Sequence, residues 1–229
     1  MSSWLPAAGN ERAHQRGKRG GLLTNRGKAL AAVGDYTTAA QAFSAATQDA
    51  SYATPFKAYL GLGNALFQSG DYANAGTAFR QAAIDGANPA PAAARGELGR
   101  CFIKLGRPAD AVETYRTAID FAGPRDDTRA LNAGMGQALY ARDAVFRRAF
   151  DRCQEIMQPV LRVDLRECMD SDDPEALTPT AIAQPALFAL EYALAQRLLS
   201  LGVTPTVLLG HSIGEFAAAV LAGIMSLED

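Results

Sequence analysis

Residues 60–82 read LGLGNALFQSGDYANAGTAFRQA, and parts of this stretch return at a fixed distance elsewhere in the chain. The Gly-Asp-Tyr triplet at residues 70–72 also stands at residues 34–36, and an altered form, Gly-Arg-Pro, stands at residues 106–108. The copies are 36 residues apart, so the chain contains an internal repeat of that period. Because repeated units bury their apolar faces against one another, this repeat decides the fold of the first half.

Small and aromatic residues recur at fixed offsets from each triplet. A glycine stands seven residues before the triplet, and an alanine, an aromatic residue and a second alanine follow it. Small residues let two helices approach closely, and the aromatic residue fills the space between neighbouring units. The triplet glycine ends the first helix of each unit, where a turn must form. The recurring residues are Gly27, Ala39, Phe43 and Ala46, then Gly63, Ala75, Phe79 and Ala82, then Gly99, Ala111, Tyr115 and Ala118.

This pattern resembles the tetratricopeptide repeat family, whose units of about 34 residues carry Gly, Tyr, Ala, an aromatic residue and Ala in this order. The resemblance covers three repeats over residues 20–127, each two residues longer than usual, which we attribute to lengthened turns such as residues 88–91. It implies a helical-hairpin solenoid whose concave face binds a protein or peptide. An ordinary alanine-rich bundle is the alternative, and three copies in register argue against it.

Several cations lie on the predicted first helices of these repeats. They either bind carboxylates of a partner on the concave face or are solvated surface charges, and the sequence leaves both interpretations open. They are Arg26, Lys28, Lys57, Arg95, Arg100 and Lys104.

A second motif lies near the C-terminus, where the apolar run at residues 206–209 leads into GHSIG at residues 210–214. We expect a strand at residues 206–209 and a helix at residues 215–224, which is the strand–turn–helix context of a nucleophile elbow. In such an elbow the serine has a strained backbone, and flanking glycines avoid collisions with the strand and the helix. Ser212 is therefore the candidate nucleophile, and the backbone N–H of Ile213 would face an oxyanion.

The elbow and its surroundings resemble the acyltransferase family that loads malonyl-type units onto acyl carrier proteins in polyketide and fatty-acid synthases. The resemblance covers residues 134–229, so we predict a mainly α protein: a solenoid followed by a truncated α/β acyltransferase fragment with a nucleophile elbow. The predicted domains are a polar lead-in at residues 1–19, the repeats at 20–127 and the partial acyltransferase domain at 128–229. The matching stretches are GHSIGEFAAA at 210–219, QPALFALE at 184–191, GMGQALY at 134–140 and a helix-like segment at 145–153.

The resemblance implies a two-step exchange without a bound cofactor or metal. Ser212 would attack the thioester of an acyl-coenzyme A, hold the acyl group as an ester, and pass it to the phosphopantetheine thiol of an acyl carrier protein. Gln184 matches a pocket glutamine of the family, although a buried amide that binds loop carbonyls is an equal alternative. In the same comparison, Ile213 favours a malonyl unit over a methylmalonyl unit as the acyl group. The resemblance assigns the shaping of the elbow to Gly210, His211, Ile213 and Gly214.

The family's general base and carboxylate-binding residue have no counterpart among these residues. A serine nucleophile normally needs a histidine base, and the chain has only His14 and His211. The family's base histidine and the arginine that binds the malonyl carboxylate lie downstream of the elbow. The segment at residues 129–133 also stands where the family has a strand and a Gly-Gln-Gly turn. We therefore expect a truncated reading of a longer chain, or a fusion that has lost the domain's ends, with little or no activity alone.

A non-catalytic scaffold is the alternative function. In that case the repeats bind a peptide or protein partner, and the second half only caps the last apolar face of the solenoid.

Composition narrows the remaining function classes. Hydrophobic residues make up 48% of the chain and charged residues 20%, which excludes a wholly disordered protein. Lys and Arg total 22 against 24 for Asp and Glu, so no basic field indicates nucleic acid or a membrane surface as partner. Three widely spaced cysteines form no metal-binding or disulfide pattern, and no signal or membrane-spanning segment is evident. We therefore expect a cytoplasmic protein.

Overall fold

The computed structural model describes residues 8–123, 129–171, 173 and 176–229, and for residues 8–18 and 129–130 it describes the backbone alone. The chain divides into two compact units, Met1–Asp126 and Asp127–Asp229. The regular structure of the described residues consists of eleven helices without a strand, so the prediction of a mainly α protein is confirmed. None of the described helices is long and apolar enough to span a membrane.

Three helical hairpins build the first unit. Each helix packs against the next one along the chain, so the hairpins stack in the order that the repeat predicts. Residues 1–7 of the predicted lead-in lie outside the described residues, and the backbone that follows them is part of the first helix. The hairpins pair α1 (Ala8–Ala32) with α2 (Tyr36–Thr47), α3 (Pro55–Gln68) with α4 (Tyr72–Ile84), and α5 (Pro91–Lys104) with α6 (Pro108–Phe121).

The turn inside each hairpin is built around the triplet glycine. All three glycines have a positive φ, a conformation that residues with a Cβ rarely adopt: +84° at Gly34, +85° at Gly70 and +68° at Gly106. In the second hairpin the Asp71 carboxylate then caps α4 by accepting a 3.2 Å hydrogen bond from the Asn74 N–H. The third hairpin has Arg107 at this position, which gives no side-chain cap, and Pro108 begins α6 instead.

A glycine faces an aromatic ring inside every hairpin. A Cβ built on Gly63 would lie 2.7 Å from the ring of Phe79, closer than real Cβ atoms come, and the same distance separates the equivalent pairs Gly27–Phe43 and Gly99–Tyr115. The Phe43 ring also covers Gly61 of the next hairpin, so it fills the space between units as predicted. The recurring alanines are fully buried: Ala39, Ala46, Ala75, Ala82, Ala111 and Ala118.

The turns between hairpins are longer than those inside them. Three residues join the helices within each hairpin, whereas residues 48–54 and 85–90 join successive hairpins. In the second of these connections the Asn88 side chain is buried, donates to the Ala82 carbonyl at 2.8 Å, and accepts from the Ala90 N–H at 2.9 Å. The lengthened turns are thus ordered by their own side-chain hydrogen bonds.

Five helices form the second unit around a core of its own. The long helix α10 packs against α8, α9 and α11, while α7 packs against α8 and α9. Phe146, Phe150 and Leu165 are fully buried at the centre of this core. The helices are α7 (Arg129–Arg142), α8 (Ala144–Leu161), α9 (Leu165–Asp170), α10 (Thr180–Ser200) and α11 (Ile213–Leu221).

The start of α8 is fixed by a shared carboxylate. Asp143 accepts hydrogen bonds from the N–H groups of Val145 and Phe146, both at 3.0 Å. Arg197 of α10 lies 2.6 Å from the same side chain. The hydrogen bond from the Phe146 N–H, together with the Arg197 charge, lowers the pKa of the Asp143 carboxyl. One ionised side chain therefore caps α8 and ties it to α10.

The strand predicted at residues 206–209 is not formed, which corrects the expectation for this segment. A strand is held by hydrogen bonds to a neighbouring strand, and the described part of the chain offers none. The side chains of Val207 and Leu209 are instead 72% and 92% exposed. The helix predicted at residues 215–224 is present, although it begins two residues earlier and ends at Leu221.

Candidate active site

Ser212 has the strained backbone that the motif predicts. Its φ of 56° and ψ of −122° lie outside the ordinary regions for a residue with a side chain. Only Arg162 shares a positive φ among the non-glycine residues that the structure describes. Such a conformation costs on the order of 1–3 kcal/mol and is typical of functional turns. The turn at Ser212 therefore has elbow geometry even though no strand precedes it.

The two flanking glycines have different structural roles. A Cβ on Gly210 would collide with the backbone of Gly214 and with the N–H of Glu215. A Cβ on Gly214 would meet only the Glu191 carboxylate, at 3.4 Å, which is close to an ordinary contact. The expectation that both positions exclude side chains is thus met at Gly210 and corrected at Gly214.

The turn leaves the serine hydroxyl and one backbone donor available. The N–H of Gly214 donates to the His211 carbonyl at 3.1 Å, and the N–H of Glu215 donates to the Ser212 carbonyl at 3.0 Å. The N–H of Ile213 opens α11 and has no acceptor inside the helix. The Ser212 side chain is exposed and does not cap the helix. A helix N-terminus favours negative charge, so the turn offers a nucleophile beside an anion-binding backbone.

The side chains of two further predicted site residues, His211 and Gln184, are exposed to solvent. His211 precedes the serine in the turn, and Gln184 lies in the second turn of α10. Exposure of Gln184 removes the alternative that it is a buried amide, and its role in a substrate pocket stays a prediction. His14 lies outside the described side chains.

Glu191 is a site residue for which the sequence interpretation gave no role. It lies on α10 seven residues after Gln184, and its half-buried carboxylate lies against Gly214 at the base of the elbow. Burial raises the pKa of this carboxyl. The signal was present in the sequence, because Glu191 is the sole acid in the apolar helix α10.

The cysteines do not compete with Ser212 for the role of nucleophile. Burial raises the pKa of the Cys101 and Cys153 thiols to about 12, so both stay protonated inside the apolar cores. Burial also raises the pKa of Cys168. Among the residues that the structure describes, no cluster of His, Cys, Asp and Glu could hold a metal ion.

Comparisons with known proteins match the two halves separately. Residues 131–229 match the family model described as an acyl transferase domain, and residues 24–91 and 60–127 match that of the tetratricopeptide repeat. Both resemblances seen in the sequence are thereby confirmed. No solved structure shows a significant match to the chain.

Individual relatives of the chain are large synthases. The chain is 43% identical over 99 residues to orsellinic acid synthase ArmB of Armillaria ostoyae, a match that covers 42% of this chain and 4% of that protein. It is 40% identical over 114 residues to the phenolphthiocerol synthesis polyketide synthase type I Pks15/1 of Mycobacterium marinum, covering 50% and 5%. It is 47% identical over 96 residues to polyketide synthase GfsB of Streptomyces halstedii, covering 42% and 2%. The chain thus spans a small part of the length of each relative.

Proposed function

We propose that this chain, in which tetratricopeptide repeats precede acyl transferase sequence, belongs to machinery that moves a malonyl-type acyl group from coenzyme A to an acyl carrier protein. Acyl transfer in a polyketide-synthase-like setting is supported by the family match and by the relatives. One observation assigns the proposed chemistry to Ser212. This residue has a strained backbone and an exposed side chain at the start of α11.

The proposed first step forms an ester on Ser212. Its Oγ attacks the thioester carbonyl carbon while its proton passes to a base; the C–S bond breaks and coenzyme A leaves as the thiol. The oxyanion that forms in between is stabilised by the Ile213 N–H and the positive end of α11. In the second step the phosphopantetheine thiol of the carrier protein attacks the ester and releases the serine. Coenzyme A and the carrier protein are thus substrates rather than bound cofactors.

The remaining site residues have proposed supporting roles. Gly210 allows the sharp turn, Gly214 continues it into α11, and His211 shapes the turn without serving as the base. Gln184 would line the acyl pocket, and Ile213 favours a malonyl unit. Because a family-type base and carboxylate-binding arginine have no counterpart among these 229 residues, we expect little or no turnover by this chain alone.

The repeats have a proposed docking role. Stacked hairpins expose a continuous face that suits a peptide or protein partner, here a synthase component or the carrier protein itself. We place this activity in the cytoplasm, which agrees with three cysteines that are free.

The test is covalent labelling of the serine by malonyl-coenzyme A in the presence of an added base. Purified protein is incubated with malonyl-coenzyme A and increasing imidazole, which can replace a missing histidine, and the intact mass is followed. We expect a slow malonyl mass gain that rises with imidazole and maps to Ser212. Ser212→Ala should abolish it, whereas Ser200→Ala, an exposed serine at the end of α10, should not. Absence of labelling at saturating imidazole, or labelling that survives Ser212→Ala, would contradict the proposal.

The second candidate function is a non-catalytic scaffold, and the three stacked hairpins favour it. In that case Ser212→Ala leaves partner capture and cellular function unchanged.

A further inference from the structure

Glu191 is an isolated acid in an apolar part of the second unit. Its side chain is half-buried, and it forms no hydrogen bond or ion pair with any residue that the structure describes. Buried polar groups are normally paired, because taking an unpaired charge out of water is costly. An unpaired carboxyl at this place is therefore unusual. The buried residues of the same helix are all apolar: Ala186, Phe188, Ala189, Leu190 and Ala193.

The Glu191 carboxylate lies against the first turn of α11. A Cβ built on Gly214 would lie 3.4 Å from Oε2 of Glu191 and 3.9 Å from Oε1, so both oxygens are close to the start of this helix. Gly214 follows Ile213, whose N–H is the proposed oxyanion donor. The first turn of a helix carries about half a positive elementary charge. Glu191 and an oxyanion on Ser212 would therefore interact with the same positive helix end.

The contacts of Glu191 favour an effect of its charge over a proton transfer. A general base must come within about 3 Å of the hydroxyl whose proton it takes. Among the described residues no hydrogen bond joins Glu191 to Ser212, whose side chain is exposed and does not cap α11. The carboxylate instead contacts the turn at Gly214. Glu191 can thus change the electrostatic field at the turn without touching the hydroxyl.

No described cation offsets the charge of Glu191. Burial is the one cause of the raised pKa of this carboxyl, so no cation of α7, α8, α9 or α11 lowers it noticeably. From α8, Arg152 and Cys153 affect the pKa of the neighbouring Tyr192. At α11 the side chains of His211 and Glu215 are exposed to solvent. An ionised Glu191 is therefore screened less by water than an exposed acid would be.

We propose that Glu191 is a positioning residue of the serine turn, whose ionised carboxylate opposes the oxyanion at Ser212 and whose neutral carboxyl permits it. This inference rests on the proposed acyl transfer and adds a control of its first step. The oxyanion and the ionised carboxylate are like charges at one helix end, so their repulsion raises the barrier to ester formation. Protonation of Glu191 by solvent removes the repulsion and leaves the bonds that form and break unchanged.

The proposed control has a definite direction with pH. Because burial raises the pKa of Glu191 above 4.5, the carboxyl stays neutral at pH values at which an exposed glutamate is already ionised. Below the raised pKa, Glu191 does not oppose the oxyanion. Above it, the rate of ester formation should fall relative to that of a variant that cannot ionise.

The test compares acylation of Ser212 in the wild type and in Glu191→Gln, which keeps the shape of the side chain. The full chain is treated with p-nitrophenyl acetate, a neutral ester, across a range of pH, and mass spectrometry measures the rate of acetylation at Ser212. The ratio of the two rates cancels the pH dependence of the serine and of the reagent. We expect equal rates in acid and about tenfold faster acetylation of Glu191→Gln above the raised pKa.

Glu215→Gln is the matched control. Glu215 lies in the same first turn of α11, but its side chain is exposed, so water screens its charge. This variant should change the rate by less than about twofold at every pH. Ser212→Ala identifies the labelled residue, and thermal unfolding shows that each variant is folded at the pH used.

Four results would overturn the inference. They are slower acetylation of Glu191→Gln, as a base at this position would give; a rate ratio that is constant with pH; equal effects of Glu191→Gln and Glu215→Gln; and no acetylation of Ser212 in either protein.

The outcome is separable from that of the transfer proposal, because p-nitrophenyl acetate requires neither coenzyme A nor a carrier protein. A serine that shows the expected rate ratio but is never labelled by malonyl-coenzyme A supports the inference and contradicts transfer. Malonyl labelling of Ser212 together with a rate ratio that is constant with pH does the reverse.

Discussion

The two units are built from the same kind of element, yet they bury their apolar residues differently. In the repeats, contacts join residues that are close in sequence, as where Phe79 covers Gly63. In the second unit the end of α10, the segment after it, α11 and the residues that follow α11 leave apolar side chains exposed. Eight of the fifteen exposed large hydrophobic residues in the described chain lie there: Leu198, Leu199, Leu201, Val203, Val207, Leu209, Phe216 and Ile224.

This difference teaches how far a local pattern determines structure. A hairpin with a glycine, an aromatic residue and two alanines carries both sides of its own contact, so each copy reproduces the same geometry. The serine turn holds its strained backbone through contacts within residues 210–215, whereas the segment before it needs a strand from elsewhere to become regular. The comparison can be tested by damaging each unit in turn.

The largest effect should come from removing a fully buried ring. Phe79→Ala in the repeats and Phe150→Ala in the second unit each delete a side chain of zero exposure. We expect each to destabilise its own unit by about 3–5 kcal/mol, through lost burial and the cavity left behind. Urea unfolding followed by circular dichroism gives the size of the loss, and hydrogen exchange identifies the unit that opens.

The exposed Phe121→Ala serves as the control, because its ring is 59% exposed and should matter much less. If Phe79→Ala accelerated exchange equally in both units, the view that each has an independent core would be wrong.

The next effect concerns the glycines of the serine turn. Gly210→Ala forces a Cβ into the backbone at Gly214, which should cost about 1–3 kcal/mol as overpacking does elsewhere. Gly214→Ala adds a Cβ at ordinary contact distance within a helix, where alanine is favoured over glycine by about 1 kcal/mol. We expect the first variant to lose stability and imidazole-dependent labelling of Ser212, and the second to keep both. Equal losses in the two variants would show that the asymmetry is incorrect.

The same contrast explains how much of the structure could be predicted from the sequence. The hairpins, their turn glycines and the close packing of their small residues were predicted because each is encoded within 36 residues. The strained turn at Ser212 was predicted because its glycines, Gly210 and Gly214, each lie only two residues from the serine. The prediction of a strand at residues 206–209 was wrong, because local β-propensity does not provide the second strand that a sheet needs. Glu191 was missed because its contact with the turn joins two helices, and no periodicity within α10 reports such a contact.

A smaller effect distinguishes the helix caps of the two units. Asp143→Ala removes a carboxylate that caps α8 and also pairs with Arg197 of α10, so we expect a loss of about 2 kcal/mol. Asp71→Ala removes a cap that serves α4 alone, and a loss of about 1 kcal/mol is expected. Arg107→Ala, at the equivalent position without a cap, is the matched control and should change little. Urea unfolding of the three variants would contradict this order if Asp71→Ala proved the most damaging.

The smallest effect is a pH dependence centred on Glu191. Burial raises the pKa of this carboxyl in the folded protein above its ordinary value of 4.5, so ionisation is harder in the folded state than in the unfolded one. Its contribution to stability is therefore fully present below pH 4.5 and is lost as the pH rises through the raised pKa. Glu191→Gln cannot ionise, so the variant should gain stability over the wild type near pH 7 and lose that advantage in acid. Thermal unfolding across this pH range measures the difference, with Glu155→Gln, an exposed acid of α8, as the control that should show no such crossover. A constant difference at all pH values would mean that the side chain acts at the serine turn through its shape and not through its charge.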